Sequence, residues 1–200
     1  MPPKTFFKPR HCLGWAARLI AACAALAAMP ALALTVIKSN TASVSQTATD
    51  WSAEPAASDV GLFDATLSAA NAAALNLTGN VSLGGLVFTN ALNGAVTLGS
   101  TGGFALTLGT SGIDMAAANQ NVRINSAVVL NGTQTWSIAA ARTLEIAGPI
   151  SGTGDLAKSG GRLVFSGSAA NTYTGSITLS GTASLLLQKT AGVNAVTGNI

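Results

Sequence analysis

Histidine and cysteine are almost missing from this 200-residue sequence, which contains one His and two Cys. His11, Cys12 and Cys23 all stand within the first 33 residues, so the sequence after position 33 has none of either type. Their absence there excludes a disulfide framework, Cys/His zinc sites, thiol chemistry and any catalytic triad that needs imidazole.

Charge is also scarce, because only 8% of the residues are Asp, Glu, Lys or Arg. The formal net charge of +3 comes from the N-terminus: after position 33, six basic and seven acidic residues leave a net charge of −1. Nucleic-acid binders need clustered basic residues, so no nucleic-acid partner is expected. With 48% hydrophobic residues, the chain is also too apolar for a disordered protein.

A secretory signal is predicted for residues 1–33, with cleavage between Ala33 and Leu34. A basic start is followed by an apolar run at 19–29, then by Pro30 and the small-residue sequence Ala-Leu-Ala, which together form the secretory pattern. A membrane anchor would need about 20 apolar residues, and Arg18 and Pro30 bound a shorter run.

Lipid attachment at Cys23 is the second alternative, because residues 20–23 match a lipoprotein cleavage box. Cleavage there would leave Arg18 five residues from the modified Cys, inside the stretch that must enter the membrane. The cleavage box at 20–23 therefore lacks the uninterrupted apolar stretch that should precede it, and cleavage after Ala33 is favoured.

Short strands separated by turns are predicted for the rest of the chain. β-branched residues and Gly recur, and no helical period persists beyond the Ala-rich segment 69–74. Apolar anchors follow one another at intervals of 18 to 22 residues, at 86–88, 106–108, 124–126, 144–146, 163–165 and 185–187.

A period near 20 with several strands in each period predicts an all-β fold, a right-handed parallel β-helix whose coils stack on one another. The predicted inward-facing residues are Leu86, Phe88, Leu106, Leu108, Leu144, Ile146, Leu163, Phe165, Leu185 and Leu187. The alternative is a β-sandwich of hairpins, for which Asn93-Gly94 and Asn131-Gly132 would suit the turns. The scarcity of aromatics favours the solenoid.

A more specific pattern stands at 151–190. It contains Gly-Thr-Gly-Asp-Leu-Ala-Lys-Ser-Gly at 152–160, Leu-Val-Phe-Ser-Gly at 163–167 and Asn-Thr-Tyr-Thr-Gly at 171–175. This segment resembles the autotransporter-associated β-strand repeat, although that family usually has one more residue between Lys158 and Leu163. The segment 34–72, with Trp51, resembles the Trp-containing N-terminal segment of such proteins, and 73–200 their β-helical repeat region.

The resemblance implies a non-catalytic secreted or cell-surface passenger region that supports export and forms a structural or adhesive stalk. The partners implied are a C-terminal outer-membrane translocator or other surface anchor outside these residues, and surface glycans. A β-helical polysaccharide-active enzyme, a lyase or glycosidase, is the alternative. Because 198–200 look like the start of a further strand and no polar cap is visible, the repeat region is expected to continue beyond residue 200, and the isolated chain to self-associate.

No catalytic residue, cofactor or metal site is expected. Asp50, Glu54, Asp59 and Asp64 are close enough in sequence for a calcium site, but they lack the alternating spacing of a calcium loop and are interpreted as surface-loop acids. Glu145 lies ten residues before Asp155, and nothing in that spacing places the two as a glycosidase acid and base.

The remaining polar and aromatic candidates also have structural interpretations. Lys158 is interpreted as a cap for turn carbonyls, with Arg142 and Arg162 as the other basic residues of the central stack. Tyr173 is interpreted as a corner residue. Trp51 and Trp136 are expected to fill the core or cover a coil end rather than to stack on a sugar.

Overall fold

The computed structural model describes residues 32–200. The predicted signal sequence and Cys23 lie outside the described residues, apart from Leu32 and Ala33. The described chain is almost entirely parallel β-sheet, wound into a solenoid of about seven coils. Its strands are β1 (Thr35–Ile37), β2 (Ser43–Val44), β3 (Val60–Phe63), β4 (Leu75–Leu77), β5 (Val81–Phe88), β6 (Val96–Ser100), β7 (Ala105–Met115), β8 (Val122–Ile124), β9 (Ala127–Leu130), β10 (Gln134–Ile146), β11 (Ile150–Gly152), β12 (Leu156–Gly167), β13 (Ile177–Ser180) and β14 (Ser184–Lys189), with one short helix, α1 (Ala69–Ala72).

Each coil passes through three faces. Face 1 stacks β1, β3, the second halves of β5 and β7, the first halves of β10 and β12, and β13. Face 2 stacks β2, β4, β6, β8, the second halves of β10 and β12, and β14. Face 3 stacks the first halves of β5 and β7, followed by β9 and β11. The long strands bend through a corner, so one strand contributes to two faces.

The alternation of side chains decides which residues enter the core. In β8, Val122 and Ile124 are buried while Arg123 between them is exposed. A single coil has no second layer to cover its inward side chains, so burial comes from the coils above and below it. One hydrophobic cluster therefore runs through the stack from Val36 to Ile177.

Coils are longer in the N-terminal half of the chain than in most of the C-terminal half. Hydrogen bonds between neighbouring coils join residues 25 apart for Asn76 and Thr101, but 21 apart for Asp155 and Ser176. The predicted period near 20 therefore fits only the C-terminal coils. In the N-terminal half it was wrong, since the anchors at 86–88 and 106–108 belong to different faces. The regular intervals there combined strands that lie on different faces of successive coils.

The predicted inward-facing residues are buried in eight of ten cases. Leu86 through Phe165 in that set are at most 2% exposed. The prediction was wrong for Leu187, which is 48% exposed, and only partly right for Leu185, which is half-buried against the core. Both lie in β14, which pairs with β12 on one side only, so no further coil covers them in the described chain.

The hairpin alternative is excluded by the direction of the strands. Every pairing between the strands of the described residues is parallel, and a tight hairpin requires antiparallel neighbours. The antiparallel contact among residues 32–200 is a single bridge between Lys38 and Trp51. Asn93-Gly94 and Asn131-Gly132 lie at corners between faces.

A column of glycines forms the corner between face 3 and face 1 in the last coils. Gly132, Gly154, Gly175 and Gly198 lie above one another, and a Cβ on each of the last three would overlap the carbonyl oxygen of the glycine one coil earlier. Glycine is needed here because the backbones of successive coils touch. The Gly154 and Gly175 positions belong to the segment that resembles the passenger repeat, so its glycines have a steric explanation.

Asparagines connect the coils at their corners. The Asn171 Oδ1 accepts a hydrogen bond from the Ile150 N–H at 2.9 Å, while its Nδ2 donates to the Ala195 carbonyl at 2.7 Å. This buried side chain thus joins the coil before it to the coil after it. Asn76, Asn80 and Asn121 likewise accept backbone N–H groups from the next coil. Backbone N–H groups at or near the corners are satisfied in this way.

Candidate functional site

The predicted N-terminal segment 34–72 contributes β1, β2, β3 and α1, and its strands pair into the same faces as the rest of the solenoid. Trp51 is buried there and packs edge-on against Phe63, which stacks on Phe88 of the next coil with ring centroids 4.8 Å apart. The indole N–H of Trp51 donates to the Ser45 carbonyl. Trp136 is also buried, and its indole N–H donates a hydrogen bond to Gln134 Oε1.

Two of the four N-terminal acids are buried, which corrects their interpretation as surface-loop residues. Asp59 accepts hydrogen bonds from the backbone N–H groups of Leu34 and Ala56, each at 2.8 Å. Asp50 is only 2% exposed. Glu54 is exposed and Asp64 is half-buried, accepting from the Thr66 N–H. Among residues 32–200, no three Asp or Glu side chains form a group that would hold a metal ion.

Asp50 is surrounded by hydroxyls from alternate positions of the β2 region. Thr41 Oγ1 donates to its carboxylate at 2.9 Å, and Ser43 and Ser45 donate as well. Burial acts to raise the pKa of this carboxyl. The three hydroxyls, helped by the nearby Lys38 ammonium, outweigh that effect and hold the Asp50 pKa below its usual 3.8.

Lys38 lies fully buried beside this cluster. Its Nζ donates to the Ser39 and Thr41 carbonyls and to Thr41 Oγ1, and lies 5.9 Å from the ring centroid of Trp51. Burial lowers the pKa of Lys38 to about 8, and the charge of Asp50 partly offsets that shift. The ammonium has three N–H donors, and its three bonds all go to Ser39 and Thr41. Lys38, Asp50 and the three hydroxyls therefore form a polar cap on the first coil.

Asp50 is expected to make the stability of the chain fall in acid. Because its folded pKa is lower than its unfolded one, its contribution is fully present above about pH 4 and is lost as the pH falls through the folded value. We expect Asp50→Asn to reduce the free energy of unfolding at pH 7 by about 2 kcal/mol, with a difference that shrinks toward low pH. Urea titrations at several pH values measure this.

The exposed Glu54→Gln variant is the control for that experiment, because it removes one negative charge without touching the cap. An Asp50→Asn protein whose loss of stability is the same at pH 3 as at pH 7 would contradict the assignment.

The three carboxylates that follow the N-terminal segment lie on different parts of the solenoid. Asp114 is in the second half of β7 on face 1, Glu145 in the second half of β10 on face 2, and Asp155 at the corner that precedes β12. Asp155 binds the backbone N–H and hydroxyl of Ser176, which lower its pKa. Glu145 pairs with Arg123 and accepts from Ser166. The structure thus does not bring Glu145 and Asp155 together as an acid and base.

Lysines cap backbone carbonyls at the corners, as interpreted from the sequence for Lys158. This buried side chain donates to the Gly160 and Gly161 carbonyls, and its burial lowers its pKa. Lys189 donates to the Gly148 carbonyl at 3.0 Å. Tyr173 was expected at a corner but lies inside the core, where burial raises its pKa to about 12.

Arginines, by contrast, gather on the outer surface of face 2. We name this surface the arginine groove. One half, of about 220 Å³, is lined by Thr97, Asn121, Arg123, Thr143 and Glu145 among others. The other half, of about 200 Å³, is lined by Ala140, Ala141, Arg142, Thr143 and Arg162. Thr143 belongs to both halves.

Sequence reasoning missed this groove. Arg123, Arg142 and Arg162 are separated by 19 and 20 residues, close to the length of a coil in this part of the chain. That spacing was the available signal. It is slightly shorter than one coil, and in a solenoid such residues lie near one another on successive coils.

The described helix is too short to cross a membrane, and no other helix is present in residues 32–200. No protein-family model, curated protein or solved structure matches the chain.

Proposed function

We propose that the chain is an exported, non-catalytic passenger-type region that assists its own export and forms a structural or adhesive stalk at the cell surface. The observation that carries this proposal is the uninterrupted stack of coils with one continuous core. At about 4.8 Å per coil, seven coils span about 30 Å. A solenoid of this kind adds length without adding new kinds of contact.

The roles of the polar side chains favour a scaffold over an enzyme. Asp59, Lys38 and Lys158 bind backbone groups at the corners, and Asp50 is held by three hydroxyls. A glycosidase needs two carboxylates at a fixed separation across a sugar, and Asp114, Glu145 and Asp155 stand on different faces or corners.

The sequence pattern supplies the other support. The segment that resembles the autotransporter-associated repeat supplies Gly154 and Gly175 of the glycine column and the Asn171 bridge. Residues 1–33 have the composition of a secretory signal. On this proposal the stalk reaches the surface with the help of an outer-membrane translocator or another anchor outside these residues.

Export is tested by expressing the chain with a C-terminal tag in a Gram-negative bacterium. We expect the tagged protein outside the cytoplasm, with Leu34 as its first residue, because the signal is removed after Ala33. A variant without residues 2–33 should stay in the cytoplasm. Cell fractionation and N-terminal sequencing provide the measurements.

The Cys23→Ser variant separates cleavage by signal peptidase from lipid attachment. It should be exported and processed like the parent chain. A parent protein that begins at Cys23 would replace the proposal with a lipoprotein, and one that remains in the cytoplasm with Met1 intact would overturn export.

A further inference from the structure

We infer that Arg142 and Arg162, with Thr143 between them, form a binding site for the carboxylate or sulfate groups of an acidic glycan. This inference names a ligand class for the adhesive role in the proposed function. It rests on that role for the natural source of the glycan, whereas binding by the two arginines does not depend on it. The site is one half of the arginine groove, the depression of about 200 Å³ on face 2.

Within residues 32–200, the two arginines have no acidic partner. Among residues 32–200, the ion pair on this face joins Arg123 to Glu145, with Arg123 Nη1 at 2.8 Å from Glu145 Oε1 and 2.9 Å from Oε2. Arg123 is further held by Asn125. Arg142 and Arg162 form no ion pair there, and residues 1–31 contain no Asp or Glu. Two guanidinium groups are therefore left for an external anion.

The register of the strands and the shared depression bring these two cations close together. Thr143 of β10 is the direct partner of Arg162 in β12, and Arg142 precedes Thr143 in the chain. Neighbouring strands are about 4.8 Å apart, and like charges at such positions are unfavourable unless an anion lies between them. Planar guanidinium groups bind carboxylate or sulfate oxygens in pairs.

The surroundings fit a saccharide better than another anion. Ala140 and Ala141 leave room beside the arginines, and Thr97, Asn121 and Thr143 continue the groove across three coils with neutral hydrogen-bonding groups. A polymer lying along the stack would meet one polar position per coil, about every 4.8 Å. No aromatic side chain lines the groove, and single-stranded nucleic acids rely on aromatic stacking.

The lysines do not share this role, which separates the groove from a general basic surface. Lys38, Lys158 and Lys189 each donate to backbone carbonyls of the corners. The net charge after position 33 is −1. Because the solenoid as a whole does not attract anions, binding of an acidic polymer depends on the local arrangement of Arg142 and Arg162.

Binding of fluorescently labelled oligogalacturonate and of dextran sulfate to the full chain, followed by anisotropy, tests the inference. Neutral dextran is the ligand control. We expect both acidic polymers to bind at low salt, and the Arg142→Gln/Arg162→Gln variant to bind about tenfold more weakly. The Arg142→Lys/Arg162→Lys variant keeps the charge but loses the paired geometry, and should lie between the two.

The Lys4→Gln/Lys8→Gln variant is the charge-matched control. All chains are made by cell-free synthesis, so that residues 1–33 are retained, and this variant loses the same two charges outside the described solenoid. It should bind like the parent. Unchanged thermal unfolding shows that each variant is folded. Equal binding by the Arg→Gln variant, equal weakening in the Lys4/Lys8 control, or tighter binding of single-stranded DNA than of either glycan would each overturn the site. These outcomes leave the export experiment untouched.

Discussion

Replacing Leu144 with aspartate is expected to lower the free energy of unfolding by about 5 kcal/mol, enough to unfold a protein of ordinary stability. Leu144 is fully buried on face 2, between Val122 of the preceding coil and Leu163 of the following one. A carboxylate there would lose its hydration without gaining a partner, or would have to take up a proton to remain inside. Urea-induced unfolding followed by circular dichroism measures the change.

Leu187→Asp is the matched control, because Leu187 faces the same core from β14 but is 48% exposed. We expect it to cost less than about 1 kcal/mol, as surface substitutions do. Equal losses from the two variants would mean that the stack does not bury its central coils more deeply than its last one.

Replacing Gly154 with alanine is expected to cost about 3 kcal/mol or more, although the change adds one methyl group. That methyl group would overlap the carbonyl of Gly132 in the preceding coil. The backbone of residue 154 fixes the position of the Cβ, and the Gly132 oxygen is a backbone atom. No side chain can therefore rotate away, and the two coils must separate locally. Separation would stretch the hydrogen bonds between β10 and β12 that follow the corner.

Gly79→Ala serves as the control, since nothing lies within 4 Å of the position that its Cβ would occupy. It should leave stability unchanged or raise it slightly, because alanine restricts the unfolded chain. If the Gly154 variant unfolded at the same urea concentration as the Gly79 variant, the glycine column would not be a tight contact between coils.

The coil architecture could be predicted because it depends on a local pattern. Two apolar residues separated by one polar residue face the same side of a strand, and such pairs, for example Leu144 and Ile146, lie in the core. The length of the N-terminal coils could not be predicted in the same way. Their corners contain α1 and long connections, and a sequence does not show how many residues a corner consumes.

The polar features were harder to predict because they depend on which residues the coils bring together. Asp50 looked like a loop acid, since its hydroxyl partners at Thr41, Ser43 and Ser45 become a cluster only when the chain folds back at Trp51. The arginine groove likewise requires the register between β10 and β12. A coil spacing of about 21 residues, once known, makes such neighbours visible in the sequence.

The dependence of each coil on its two neighbours has a mechanical consequence. In a parallel stack pulled from one end, the terminal strands peel away from the next coil, so their hydrogen bonds are loaded one after another. A detached coil of 21 to 27 residues releases about 70 to 90 Å of chain, while the coils behind it keep their core. A tether of this construction yields to tension by lengthening in increments, and the remaining coils stay folded as a template on which the released chain can wind again.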